Sequence, residues 1–151
     1  NIGDEVSYSG TVAAAWEGAV RGINSIALSQ FGGNENLYTY DYAKNSAYQI
    51  LDKLFNQTFD YPMFFNINFP SSSFSKIVDK NFLYTKLANQ KIADEIILNE
   101  NNKSFKIGRM LTEINNFSNT DLEAIKNNKI SITPLSLDIT NLDRFNCLID
   151  L

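Results

Sequence analysis

Three consecutive residues, Ser9-Gly10-Thr11, offer the most pointed chemistry in this chain. They stand at the head of an Ala-rich run, Thr11–Val20 (TVAAAWEGAV), whose spacing predicts a short helix closing at Gly22. The first N–H groups of a helix lack intrahelical acceptors, and the dipole puts partial positive charge at that end. A glycine lets a ligand approach the backbone, and two flanking hydroxyls add donors. Such a start can cradle a phosphate or a carboxylate. On the tripeptide alone the plainer reading is favoured: Ser9 or Thr11 is an ordinary N-cap, and Gly10 serves packing.

Other candidates are weaker. Asp4 and Glu5 could hold a hard cation through oxygen, although two acidic residues in a polar loop read first as solvated charge. Asn1, Asn66 and Asn68 could add carbonyl oxygens, but Asn66 and Asn68 fall on the alternate face of a strand and read as structural. Arg21 and Arg109 could grip phosphate oxygens bidentately, though neither stands in a motif. Trp16 reads as a core or interface aromatic. Cys147, in an apolar stripe with no accompanying base, reads as a small buried residue.

Composition removes several classes. The chain has no histidine, so His-based acid–base catalysis, Ser-His-Asp triads and His-containing metal sites have no residue to use. One cysteine rules out an internal disulfide framework and fits a reducing compartment. A net charge of −4 argues against a duplex nucleic-acid binder. No apolar run reaches the ~18 residues of a membrane span. Neither a P-loop ending in GK[ST] nor a GxGxxG occurs. At 151 residues and 44% hydrophobic content, one domain with a real core is expected.

The elements that position Ser9-Gly10-Thr11 follow an α/β rhythm. Ile23–Ser29 predicts a short buried strand. Asp41–Phe55 predicts a helix whose apolar stripe carries Ala43, Ala47, Ile50, Leu51, Leu54 and Phe55. Met63–Phe69 alternates Phe65, Ile67 and Phe69 against Asn66 and Asn68, a period-two strand. Helix, strand, helix, strand favours a sheet with crossover helices. The character changes after Ser71: runs at Phe82–Thr85, Ile92–Leu98 and Ser104–Met110 suggest a hairpin arm. Thr120–Lys126 predicts a helix with a Thr120/Glu123 capping box, Lys129–Thr133 a strand ended by Pro134, and Asn141–Leu151 an amphipathic helix carrying Leu142, Phe145, Leu148 and Ile149. The chain opens without Met on its most chemistry-laden loop, so residues ahead of Asn1 are expected.

NIGDEVSYSGTVAAAWEG at the start, followed by INSIALSQ, resembles the SurE family of metal-dependent nucleotidases. FNINFP at Phe65–Pro70 resembles that family's LNINVP strand. Thr85-Lys86 with Ala93-Asp94 is similar to its TR…AD segment, TDLEA at 120–124 and ISITPL at 130–135 to its TDxxA…VSITPL ending, and Asp138-Ile139-Thr140 to its DLT. The likeness spans nearly the whole chain in order. It departs in the arm, where a second arginine and a PRGxxYYW-like stretch are replaced by LANQKIADEI and NNKSFKIGRM, and at NKISITP, where the family has GYVSITP.

The resemblance implies a Rossmann-like three-layer α/β/α sandwich with an appended β-hairpin arm and C-terminal helix. On it, 1–80 would be part of the α/β core, 81–118 the arm, and 119–151 a return to the core plus the last helix, with the N-terminal part of the fold missing. It implies hydrolysis of nucleoside 5′- and 3′-monophosphates, and some of short polyphosphate, with a divalent metal such as Mg²⁺ or Mn²⁺. The family's metal ligands align with no residue here, so they are expected in a missing N-terminal segment, and the isolated chain is expected to be inactive. Asn1, Ser9, Gly10 and Thr11 match the family's phosphate-side wall. That match reverses the preference at Ser9–Thr11 toward the anion site. A cytoplasmic homo-oligomer, dimer or tetramer, joined through arm and last helix is implied, with no nucleic-acid polymer or membrane as partner. The alternative, of another class, is a non-catalytic α/β module that serves assembly only.

Overall fold

The alternation at Phe65, Ile67 and Phe69 becomes the central strand of a mixed sheet. The computed structural model describes residues 1–31, 40–59, 61–70, 81–89, 91–99, 103–112 and 118–149. In chain order these form a 3₁₀ turn (Gly3–Tyr8), α1 (Gly10–Val20), β1 (Ser25–Gln30), α2 (Asp41–Phe55), β2 (Phe64–Phe69), β3 (Phe82–Tyr84), β4 (Lys91–Leu98), β5 (Phe105–Thr112), α3 (Asp121–Lys126), β6 (Ile130–Pro134) and α4 (Leu142–Ile149). The main sheet runs β1-β2-β6-β3. β1 pairs parallel with β2, Leu28 opposite Ile67. β6 lies antiparallel to β2, with Asn66 opposite Thr133 and Asn68 opposite Ser131.

Every residue of β2 is buried, and its side chains divide between two faces. Phe65, Ile67 and Phe69 pack with Tyr42, Ile50 and Leu54 of α2 and with Ile130 and Ile132 of β6. Phe64, on the other face, joins Val12, Ala15 and Ala19 of α1 and Ala27 of β1. The small side chains of α1 let that helix lie close to the sheet. α3 packs against β6 and β2. The layers are therefore helix, sheet, helix, as expected.

Local signals placed most elements within two residues, and the differences have physical causes. On α2 the fully buried positions are Tyr42, Ser46, Ile50 and Leu54, while Phe55 is 55% exposed. The stripe follows four-residue spacing and ends at Leu54, one residue before Phe55. β3, read as part of the arm, pairs instead with β6 in the main sheet. The separate hairpin is β4 with β5. Cys147, expected buried, is exposed. Leu142 and Phe145 beside it on α4 are exposed as well, so these two apolar residues are not docked on this core. The side chains of Leu148 and Ile149 lie outside the described residues, as do residues 32–39 and 71–80.

Candidate functional site

Ser9 is the N-cap of α1. Its backbone is extended, and its hydroxyl accepts the Val12 N–H at 3.1 Å. The Ala13 amide bonds to the Ser9 carbonyl at 2.9 Å, and the Ser9 amide to the Val6 carbonyl at 3.3 Å. The amides of Gly10 and Thr11 are the two in this first turn with no acceptor among the described residues. Both residues are exposed. A Cβ built on Gly10 would meet no atom within 4 Å, and Gly10 has no left-handed backbone. Neither packing nor conformation in the described structure demands a glycine there. Packing among the described residues thus gives no reason for a glycine at position 10.

The loop ahead of α1 is fixed to the sheet at one end. Asn1 donates from its main-chain nitrogen to Asn68 Oδ1 at 3.0 Å, its carbonyl accepts Asn66 Nδ2 at 2.8 Å, and its own Nδ2 donates to Ser29 Oγ at 2.5 Å. Asn66 and Asn68, expected to be structural, hold Asn1 against β2. Both are at most 1% exposed. Asn66 Oδ1 and Asn68 Nδ2 have no partner among the described residues. Beside them a buried hydroxyl cluster joins Thr85 to Ser131 at 2.9 Å and to Thr133 at 2.7 Å.

Further along, the loop meets Asp121, the acidic residue of the TDLEA stretch, which was not among the candidate site residues. Asp121 Oδ2 accepts the Gly3 N–H at 2.7 Å, and Oδ1 accepts those of Ala88 and Leu122, each at 2.8 Å. Burial pushes the Asp121 carboxyl above its ordinary 3.8, and these three donors pull it part of the way back. The sign of the linkage follows. Between 3.8 and the raised folded value, the folded chain holds a proton that the unfolded chain has released. The Asp121 contribution to stability is therefore fullest below 3.8 and fades as pH rises through the folded value. The stability of the wild type minus that of Asp121→Asn, from denaturant midpoints at pH ~4 to ~7, is expected to fall as pH rises. A rising difference curve would contradict the buried carboxylate.

Arg21, Glu5 and Trp16 have partners of their own. Arg21 pairs with Glu17 one helical turn back, both exposed. The side chain of Arg109 lies outside the described residues. Glu5 Oε2 reaches the Ile2 N–H at 3.5 Å, which places it on its own turn. Trp16 is half-buried, its ring 6.2 Å from that of Phe64, in the α1 layer as expected. Ser9, Val12 and Trp16 line one side of a cavity of about 360 Å³ between α1 and Leu135–Ile139.

Residues 1–94 match the family described as Survival protein SurE. The chain belongs to the SurE family. A 5′/3′-nucleotidase SurE of Wigglesworthia glossinidia brevipalpis is 38% identical over 98% of this chain, which covers 58% of that protein. A 5′-nucleotidase SurE of Legionella pneumophila (strain Paris) is 35% identical over the whole chain and 60% of its own length. The crystal structure of the SurE protein from Aquifex aeolicus superposes with a TM-score of 0.79 at 27% identity, over 98% of this chain and 59% of that one. The chain thus spans about three fifths of the length of these relatives, and its fold is the SurE fold.

The described residues do not fit the divalent metal that the SurE resemblance implies. Among them no group of three or more His, Cys, Asp or Glu could hold such an ion. Asp121, the buried carboxylate nearest the loop, already uses both oxygens on backbone donors.

Proposed function

We propose that this chain is the phosphate-side wall of a 5′-nucleotidase that hydrolyses nucleoside monophosphates to nucleoside and phosphate. Activity on 3′-monophosphates and short polyphosphate belongs to the same proposal. The observation that carries it is the open pair of amides at Gly10 and Thr11, with free space before a glycine that the fold does not otherwise need. SurE membership and the nucleotidase names of the relatives support it.

In this reading the Gly10 and Thr11 amides, the Thr11 hydroxyl and the dipole of α1 donate to the non-bridging phosphoryl oxygens. They favour the charge that builds there as the P–O bond breaks. Ser9 holds the turn in shape through Val12, and Asn1 closes the wall on the sheet side. The reaction's divalent cation, Mg²⁺ or Mn²⁺, is assigned to ligands outside residues 1–151. The chain by itself is accordingly inert.

Phosphate release from adenosine monophosphate with Mn²⁺ tests both parts. The full-length protein is expected to turn over, and the 151-residue chain is expected not to. Thr11→Val in the full-length protein should lose about 10²-fold in kcat, the usual scale for removing one oxyanion donor. Turnover by the short chain would overturn the assignment of the metal. An inactive full-length protein would overturn the activity.

A homo-oligomer is part of the proposal. Ile96, Leu98, Phe105 and Ile107 of the hairpin are each more than 60% exposed, and Leu142 and Phe145 of α4 add to the uncovered apolar surface. No helix among the described residues is long and apolar enough to cross a membrane. The free, exposed Cys147 suits the reducing cytoplasm.

A further inference from the structure

We propose that Asp121 is the positioning residue of the anion wall, tying the loop ahead of α1 into the fold and so setting where the Gly10 and Thr11 amides point. This rests on reading those amides as a phosphate site. The tie joins three separate stretches of chain. Gly3 belongs to the loop before α1, Ala88 to the link after β3, and Leu122 to the first turn of α3; all three donate to one carboxylate with no solvent exposure. Gly3 and Ala88 are also in direct backbone contact. Gly3 has φ +55°, and a Cβ there would run into the Ala88 carbonyl oxygen.

The loop transmits this position rather than absorbing it. From Gly3 the chain continues as a hydrogen-bonded 3₁₀ turn, with Glu5 N–H on the Ile2 carbonyl at 3.2 Å and Ser9 N–H on the Val6 carbonyl at 3.3 Å. A shift at Gly3 is therefore carried to Ser9, the residue that shapes the start of α1. Helix capping does not account for Asp121. Thr120 already caps α3 through the Glu123 N–H at 3.3 Å. Two oxygens that only accept are what three converging N–H groups require. An asparagine would turn an NH₂ toward one of them. A carboxylate is seldom buried without such partners.

Inorganic phosphate, titrated into the 151-residue chain and followed through the Gly10 and Thr11 amide resonances, tests the proposal. In the wild type these two resonances should move and saturate. In Asp121→Asn the phosphate dissociation constant should rise at least tenfold. The amides of Ile67 and Ile132 should meanwhile keep their shifts, the sign of an unchanged core in the folded molecule. Unchanged phosphate affinity in Asp121→Asn overturns the positioning role. Affinity lost together with displaced Ile67 and Ile132 shifts also overturns it, since that is the mark of a purely structural residue. If Asp121→Asn does not fold, Gly3→Ala breaks the same tie from the loop side and leaves the carboxylate its other two donors. The same criteria then decide, and unfolding of both variants overturns the proposal. A wild type whose Gly10 and Thr11 resonances ignore phosphate overturns the phosphate site itself, and the proposal falls with it.

Discussion

Ile67→Ala is expected to lower stability by about 2–5 kcal/mol, the range for truncating a fully buried aliphatic residue. Ile67 has no solvent exposure and lies at the middle of β2, opposite Leu28 on one side and Ile132 on the other. Its side chain belongs to the α2-facing core with Phe65 and Phe69. Neighbours on two strands and a helix fix the walls of the space it would leave, so little collapse can offset the loss. Domains of this kind are stable by only about 5–15 kcal/mol, so the variant should sit near the edge of folding. The midpoint of urea denaturation checks this. A shift worth less than about 1 kcal/mol would mean that α2 does not pack on this face as described.

Gly3→Ala should cost nearly as much by a different route. The left-handed backbone at Gly3 penalises any side chain by about 1–3 kcal/mol. The new methyl would also press on the Ala88 carbonyl, which is backbone and cannot swing aside. Relieving that contact means parting the loop from the β3–β4 link, and the Gly3–Asp121 hydrogen bond lengthens with it. A combined loss of about 2–4 kcal/mol would lower the melting temperature by about 10 °C at this chain length. Gly10→Ala is the natural control, because a Cβ there meets open space and helical backbone suits alanine. Equal melting temperatures for the two variants would contradict the close approach at Gly3.

What could be read from the chain and what could not divide along the range of the forces involved. Period-two alternation located β2, a hydroxyl cap located the start of α3 at Thr120, and hydroxyls narrowed the start of α1 to Ser9 or Thr11, of which the structure uses Ser9. All of these signals lie within a few residues of the feature they specify. The spacing on α2 predicts a stripe with Phe55 inside. The buried row at 42, 46, 50 and 54 is chosen by the bulk of Phe65, Ile67 and Phe69 across the interface, which α2's own sequence does not contain. By sequence β3 reads as part of the arm, because three residues, Phe82–Tyr84, carry too little pattern to reveal a partner nearly fifty positions away. Cys147 was placed in a core because its helix is amphipathic, but amphipathicity does not say which surface covers the apolar side.

The site shows the same division. Ser9, Gly10 and Thr11 were legible because the anion-binding chemistry of a helix start is local. Asp121 was not, because its oxygens serve Gly3, 118 positions earlier, and Ala88, 33 positions earlier. Its place in TDLEA marked it by resemblance alone, and the local hint was an acidic residue directly after a threonine N-cap. That is a common helix-start pattern and gives no sign of burial.

The order of strands bears on how the chain reaches this state. β6 comes last of the described strands yet fills an inner slot, between β2 and β3. A nascent chain emerging from the ribosome can assemble β1, α2 and β2 early, since these are neighbours in sequence. One edge of β2 then stays open, its phenylalanines half covered, until residues 130–134 are made. β3 has no partner in the main sheet before that moment. The interval offers a bare, apolar strand edge to any other unfinished chain, so yields of folded protein should fall as synthesis is crowded or warmed.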